Sequence, residues 1–403
     1  MKAKVKATEL KRALSAVLAL QKLTTTKVKA AEAAETSGLK GRLLVTTDGK
    51  LLVESSNMGA YACVSIEATT LRPGKVGIEM SALEKIRVTG LVTVGIDDKT
   101  GMLRIHGSRS DYNLALDQDA DALVSATVPD QAGIRFVAKV PTSILATAAA
   151  MVAIKPALKA ESMRMQFHFS KGPNGGRLEI VGLDFYSYGR FIRDAPDINV
   201  REDTKFVLRA TSLSTILKNI AGDEVMIGVQ QAADNNETTL VRFKSEDADI
   251  VYPTIDLPFL NPSEVHQRIT SGTFDGGFTA LRSNVREALN TVKTIATGNV
   301  PLLLKIRILH NDVEMTAENN GNAAKAQLTA KDIKLPTEQP HTITVNQAYL
   351  NEVVSLAPDM VPMRVESWNQ AQVIVHAERV DDGQIEYSIS QVDSTKLSEE
   401  RDD

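Results

Sequence analysis

Lys75-Val-Gly-Ile-Glu-Met-Ser-Ala-Leu-Glu-Lys-Ile-Arg87, Lys205-Phe-Val-Leu-Arg-Ala-Thr-Ser-Leu-Ser-Thr-Ile-Leu-Lys218 and His341-Thr-Ile-Thr-Val-Asn-Gln-Ala-Tyr-Leu-Asn-Glu-Val-Val354 share one plan. Each opens on alternating apolar and polar residues, the period-2 signature of a half-buried strand. A residue able to cap a helix follows (Ser81, Thr211, Asn346), and then an apolar pair three apart: Leu83 and Ile86, Leu213 and Ile216, Leu350 and Val353. Two further strands are expected after each: Leu91 to Ile96 and Met102 to His106, Glu224 to Val229 and Thr239 to Lys244, Val361 to Glu366 and Gln372 to Ala377. The first leucines of these pairs lie 130 and 137 residues apart. That is domain scale, well beyond the ~20–45 residues of a solenoid repeat.

A longer helix stands ahead of each copy at the same spacing. Leu10, Leu14 and Val17, then Ile144, Ala148 and Met151, then Val285, Leu289 and Val292 fall at i, i+4 and i+7 on one helix face. Each helix is followed by a pair of strands: Leu43 to Thr47 with Leu51 to Ser56, Met165 to Ser170 with Arg177 to Gly182, and Leu303 to Leu309 with Asp312 to Ala317. Hairpin turns at Asp48-Gly49 and Asn174-Gly175-Gly176 join the first two pairs. The chain therefore reads as an α+β protein of three similar domains, each a doubled β-α-β-β-β unit. Domain limits are expected at 1–130, 131–268 and 269–392, marked by Pro129 and by the Pro-, Gly- and Ser-rich stretch from Pro253 to Gly277. Residues 393–403 carry five acids and are expected to form a disordered acidic tail.

Composition narrows the function. Hydrophobic residues make up 43% and charged residues 24% of the 403, which predicts packed cores. No run approaches the ~18 apolar residues of a bilayer span, and the Lys-rich N-terminus lacks a signal peptide's apolar stretch. A cytoplasmic protein without a membrane partner is expected. Cys63, the only cysteine, excludes disulfides and thiolate metal clusters. The six histidines are scattered, without a His-x-x-x-His pair, and no phosphate-cradling or nucleophile-elbow motif occurs. Asp117-Gln-Asp-Ala-Asp121 and Ser245-Glu-Asp-Ala-Asp249 lack the glycine and terminal glutamate of a calcium loop and read as solvated loops. No catalytic residue, metal or cofactor is expected.

With three domain-sized repeats in place, the sequence resembles the bacterial DNA polymerase III beta sliding clamp family. Gly107-Ser-Arg-Ser-Asp-Tyr-Asn-Leu114 closes the first repeat and Val251-Tyr-Pro-Thr-Ile255 the second, each at the matching point of its unit. The divergence, with its longer loop after the first helix and its acidic tail, suggests a phage or plasmid version. The resemblance implies a head-to-tail homodimeric ring, with helices inside and sheets outside, that encircles double-stranded DNA without reading its sequence. It further implies that polymerase and clamp loader bind through short peptide motifs. By resemblance, Tyr112 and Leu114 on the edge strand Ser110 to Leu116 meet the partner copy near Ile295. A peptide pocket would be built from Leu183, Tyr186, Tyr188, Pro253, Leu257, Ile385, Tyr387 and Ile389, although only the Asp of the family's pocket turn is retained, at Asp184.

Such a ring requires cationic helices on an otherwise acidic molecule. The chain has 46 Lys and Arg against 50 Asp and Glu, a net charge of −4. The helix segments 8–22, 81–90, 141–159, 211–222, 279–298 and 346–357 together carry +7, leaving −11 on the remainder. Phosphates would be drawn to the helices and repelled elsewhere. The candidate DNA contacts are Lys22, Lys27, Lys29, Lys85, Arg87, Lys155, Lys159, Lys218, Arg282, Arg286 and Lys293. Aromatics at 4% disfavour a stacking surface for single strands. Two alternatives stay open: an open or monomeric DNA-clasping processivity factor, and an enzyme of triplicated domains acting on a small ligand.

Overall fold

The computed structural model describes residues 1–20, 40–57, 59–127, 133–152, 164–183, 187–232, 238–255, 261, 263–264, 267, 276–296, 302–335, 338–357, 359–365, 372–379 and 383–390. The doubled β-α-β-β-β plan recurs three times. In the first repeat it runs strand Lys2–Lys6, helix Ala7–Leu18, strands Lys40–Val45, Lys50–Asn57 and Ala60–Arg72. It then starts again with strand Gly74–Glu79, helix Ser81–Glu84, and strands Leu91–Ile96, Leu103–His106 and Asp111–Leu114. Helices Thr142–Val152 and Ala210–Lys218 occupy the same places in the second repeat, and Arg282–Lys293 and Gln347–Leu356 in the third. The tail 393–403 lies outside the described residues.

The chain divides into two compact units. The first comprises Met1–Ala150, His168–Arg177 and Ala195–Asp256. It holds a sheet in which Ala60–Arg72 is the junction strand: it pairs with Lys2–Lys6 and Lys50–Asn57 of its own repeat and with Ala248–Pro253, the last strand of the second repeat. Among the described residues the sheet ends at Asp111–Leu114, which pairs there on one side, with Leu103–His106. Alternation buries Leu43, Val53, Val64 and Val76 on one face, where Leu10, Leu14 and Val17 of the first helix complete the core.

The second unit comprises Met151–Phe167, Leu178–Asp194 and Leu257–Asp403. Here Ser187–Ala195 of the second repeat pairs with Gly383–Ser390, the last strand of the third, repeating the junction seen in the first unit. A separate four-stranded sheet ends at Asn322–Leu328, which among the described residues pairs with Val313–Asn319 alone. Val285, Leu289 and Val292 lie buried under helix Arg282–Lys293, which packs beside Gln347–Leu356.

Several expectations need correction. Only Asn346 caps its helix, its side chain accepting a hydrogen bond from the Ala348 N–H at 2.9 Å. Helix Ser81–Glu84 is a single turn that starts from Met80, and Ala210–Lys218 starts from Arg209, neither with a side-chain cap. The edge strand is shorter than Ser110 to Leu116. Asp117 to Asp121 is no solvated loop, because a helix, Gln118–Thr127, begins there. Asp117 pairs with Lys40, and Asp121 with Arg42 at 3.0 Å and Lys75 at 2.7 Å. These cations hold both carboxyls below the usual carboxylate range. The second acid cluster is equally structural: Asp247 binds Arg12 at 2.6 Å, and Asp249 takes a two-pronged contact from Arg242.

Helix Gln118–Thr127 approaches so closely because Gly77 lacks a side chain. A Cβ there would lie 2.3 Å from the Asp117 carbonyl oxygen and 2.9 Å from the Asp121 nitrogen, both backbone atoms that cannot swing aside. Gly77→Ala should therefore cost about 1–3 kcal/mol through overpacking, read as a lower urea midpoint. An unchanged midpoint would mean the helix docks less tightly than described.

Candidate nucleic-acid interface and strand edges

The apolar stripes of the helices face the sheets, which turns their polar faces outward. In the first unit this places Lys11, Lys85, Arg87 and Lys218 in solvent, and in the second Arg286 and Lys293. Lys11, Lys85, Lys218, Arg286 and Lys293 make no ion pair among the described residues. Exposed lysines that have no acid partner are free to neutralise phosphates. Lys11, Arg87 and Thr215 come together around a groove of about 820 Å³ floored by Leu10, Leu14 and Leu83. Arg87 is partly committed there, because its guanidinium donates to the carbonyls of Glu84 at 2.9 Å and Ile86 at 3.1 Å.

Two cations counted with the helices are neutralised within the fold. Arg12 donates to Asp247 at 2.6 Å and to the Asn219 carbonyl at 2.7 Å, and it pairs with Glu9 at 3.0 Å. Arg282 donates to the Ala357 carbonyl and pairs with Asp359, both at 2.8 Å. The +7 total thus overstates the charge free for phosphate. Lys11, by contrast, is an exposed cation beside the groove that the candidate set omits. Its signal was its position directly after Leu10, on the outward side of the apolar stripe. Lys22, Lys27, Lys29, Lys155 and Lys159 lie outside the described residues.

Tyr112 and Leu114 are half-buried on the edge strand, alternating with exposed Asp111 and Asn113. The Tyr112 hydroxyl donates to the Arg87 carbonyl and accepts from the Arg87 N–H, each at 3.1 Å, which fixes the edge strand to the end of the short helix. Ile295 is half-buried in the second unit, where its carbonyl accepts from the Asn319 amide at 3.1 Å.

Of the expected pocket residues, Tyr186 and Leu257 are outside the described set. Pro253 ends a strand of the first unit. In the second unit Leu183 is half-buried and Tyr188 buried. Ile385, Tyr387 and Ile389 stand in register opposite Phe191, Gly189 and Ser187, whereas Tyr188 stands opposite Ser388. Tyr188 is therefore one residue out of phase with those three positions. A buried ion pair, Arg190 with Glu179 at 2.7 Å, braces the neighbouring strands.

Known structures share this architecture over nearly the whole chain. The DNA polymerase III beta subunit of Thermotoga maritima matches with a TM-score of 0.67 at 14% identity, covering 97% of this chain and 99% of that one. The Caulobacter crescentus beta sliding clamp, with PEG bound to its putative beta-motif tethering region, matches at 0.65 and 16%, covering 98% and 99%. The Helicobacter pylori beta clamp bound to a DNA ligase peptide matches at 0.61 and 16%, covering 98% and 100%. The chain has the sliding-clamp fold. No family model matches the sequence, and no curated protein sequence does. Among the described residues, no helix is long and apolar enough to cross a membrane, and no cluster of His, Cys, Asp and Glu could hold a metal ion.

The contrast between neutralised and unpaired cations is testable on stability. Arg282→Ala should cost roughly 1–2 kcal/mol by stranding its carbonyl and carboxylate partners, discounted for partial exposure. Arg286→Ala, at an exposed site with no ion pair among the described residues, should stay within about 0.5 kcal/mol. Equal effects in urea unfolding would place the two arginines in the same class.

Proposed function

We propose that the protein is a DNA sliding clamp: a non-enzymatic processivity factor that closes head to tail with a second copy around duplex DNA and tethers a polymerase. One observation carries this reading. At both junctions within the chain, the last strand of one repeat's first half pairs with the last strand of the next repeat: Ala60–Arg72 with Ala248–Pro253, and Ser187–Ala195 with Gly383–Ser390. Applied once more, the rule calls for Asn322–Leu328 to pair with Asp111–Leu114, and both of these strands stand at sheet edges among the described residues. They belong to opposite ends of the repeat series, so a second copy supplies each with its complement. The contact is heterologous in type and becomes closed by two-fold repetition.

Burial patterns support the match. Tyr112 and Leu114 alternate as half-buried on one edge, and Ala324 and Ala326 on the other, so small residues face large ones. An edge left open invites uncontrolled association, and closure removes that hazard. DNA would be held by loose phosphate contacts from Lys11, Lys85, Lys218, Arg286 and Lys293, which carry no sequence information and permit sliding. Three repeats in each of two copies, 1–130, 131–268 and 269–392, would complete the ring.

Partners would dock through short peptides. The H. pylori clamp of the same fold holds a DNA ligase peptide, and by analogy a motif from polymerase or loader would bind beside Gly383–Ser390 at the junction of the second and third repeats. A phage or plasmid origin agrees with the low identity to chromosomal clamps.

Light scattering on a sizing column tests closure. The wild type should elute at twice the chain mass, and Tyr112→Arg with Leu114→Arg should give a folded monomer. A wild-type monomer would favour an open DNA-clasping factor, and a dimer that survives the double substitution would move the interface elsewhere.

A further inference from the structure

We propose that helix Gln118–Thr127 and Arg12 form a two-sided clasp that locks the seam where strand Ala60–Arg72 of the first repeat meets Ala248–Pro253 of the second, stiffening the first compact unit. The inference goes beyond the clamp reading and does not depend on ring closure. The seam itself is a short antiparallel pairing, Val64 with Ala248 through Tyr61 with Val251. Four such pairs would make a natural hinge if nothing else crossed them.

On the sheet face opposite the core, the helix covers the seam. Arg42 stands in register with both Gly77 and Glu54, which puts all three on the face the helix packs against. A polar chain then runs from the seam to the helix without a break. The Tyr61 hydroxyl donates to Glu54 at 2.7 Å, and Glu54 accepts two bonds from Arg42 at 2.6 and 2.8 Å. Arg42 donates onward to Asp121 at 3.0 Å and to Ser125 at 2.8 Å. Beside this chain, Val124 is fully buried in an apolar cluster with Tyr61 of the first repeat and Val251 of the second, packed against Cys63 and Leu240. Burial pushes the Cys63 thiol up to about 12, so it stays a neutral packing group. The helix therefore touches both sides of the seam at once.

On the helix-bearing face, Arg12 of the first repeat reaches across to the second, to Asp247 and the Asn219 carbonyl. Asp247 is itself fixed, accepting from the Ala221 N–H at 3.1 Å and the Ser245 hydroxyl at 2.7 Å. Its carbonyl accepts from the Ser65 N–H at 2.6 Å, one more bond across the seam. A seam tied on both faces cannot bend toward either without breaking a charge-assisted bond or exposing Val124. Arg12 thus acts as a positioning residue for the joint.

Hydrogen exchange with mass spectrometry on the full chain reads the clasp directly. In Arg12→Ala with Val124→Ala, the amides of Tyr61 to Val64 and Ala248 to Val251 should exchange about tenfold faster, while those of Leu91–Ile96 hold at the wild-type rate. Arg104→Ala, which removes pairs with Asp111 and Asp97 away from the seam, should leave the seam unchanged. Wild-type exchange at the seam in the double variant overturns the proposal. If the double variant unfolds, Arg12→Lys and Val124→Ala decide singly. Selective acceleration at the seam supports the clasp, and equal acceleration of the seam and Leu91–Ile96 overturns it.

Discussion

An antiparallel sheet has two edges, and each must be paired or covered for the protein to stay soluble and defined. In this chain that requirement sets the architecture. Each repeat offers one long inner strand and one terminal strand, and the repeats satisfy each other by pairing inner with terminal. Ala60–Arg72 and Ser187–Ala195 use this rule within the chain. Asp111–Leu114 and Asn322–Leu328 are what it leaves over. The proposed head-to-tail association of two copies would continue a pairing the chain already makes twice.

Electrostatics sort the cations into two populations that composition alone blends. Arg12, Arg42, Arg190, Arg242 and Arg282 are spent on carboxylates inside the fold, where the planar guanidinium can hold two partners at once. Lys11, Lys85, Lys218 and Lys293 stand in solvent on or beside the helices. Lysine is a hydrated point charge on a flexible stem, which suits loose contact with a moving phosphate backbone better than fixed recognition.

The repeat plan was legible because strands buried on one face alternate strictly and helices covering them keep a 3.6-residue stripe, three times over. Leu83, Leu213 and Leu350 alone set the register of the repeats. The helix Gln118–Thr127 was not legible, since Ala120 and Val124 are the buried positions among its described side chains, too thin a stripe to reveal a helix. Asp117 before it and Asp121 within it are matched by Lys40, Arg42 and Lys75, each dozens of residues away. The same distance effect hid the fates of Arg12 and Arg282, whose partners Asp247 and Asp359 are 235 and 77 residues away. At the junction of the second and third repeats, alternation placed Ile385, Tyr387 and Ile389 together, but only the register across to Ser187–Ala195 showed Tyr188 to be out of phase with them.

The central claim is that the grip on DNA is topological. Retention on a nicked circular duplex, followed by cutting the circle, measures it. At salt concentrations that abolish ordinary electrostatic binding, the assembled protein should remain on the circle and run off once the DNA is linearised. Equal loss from circular and linear DNA at every salt concentration would contradict the account.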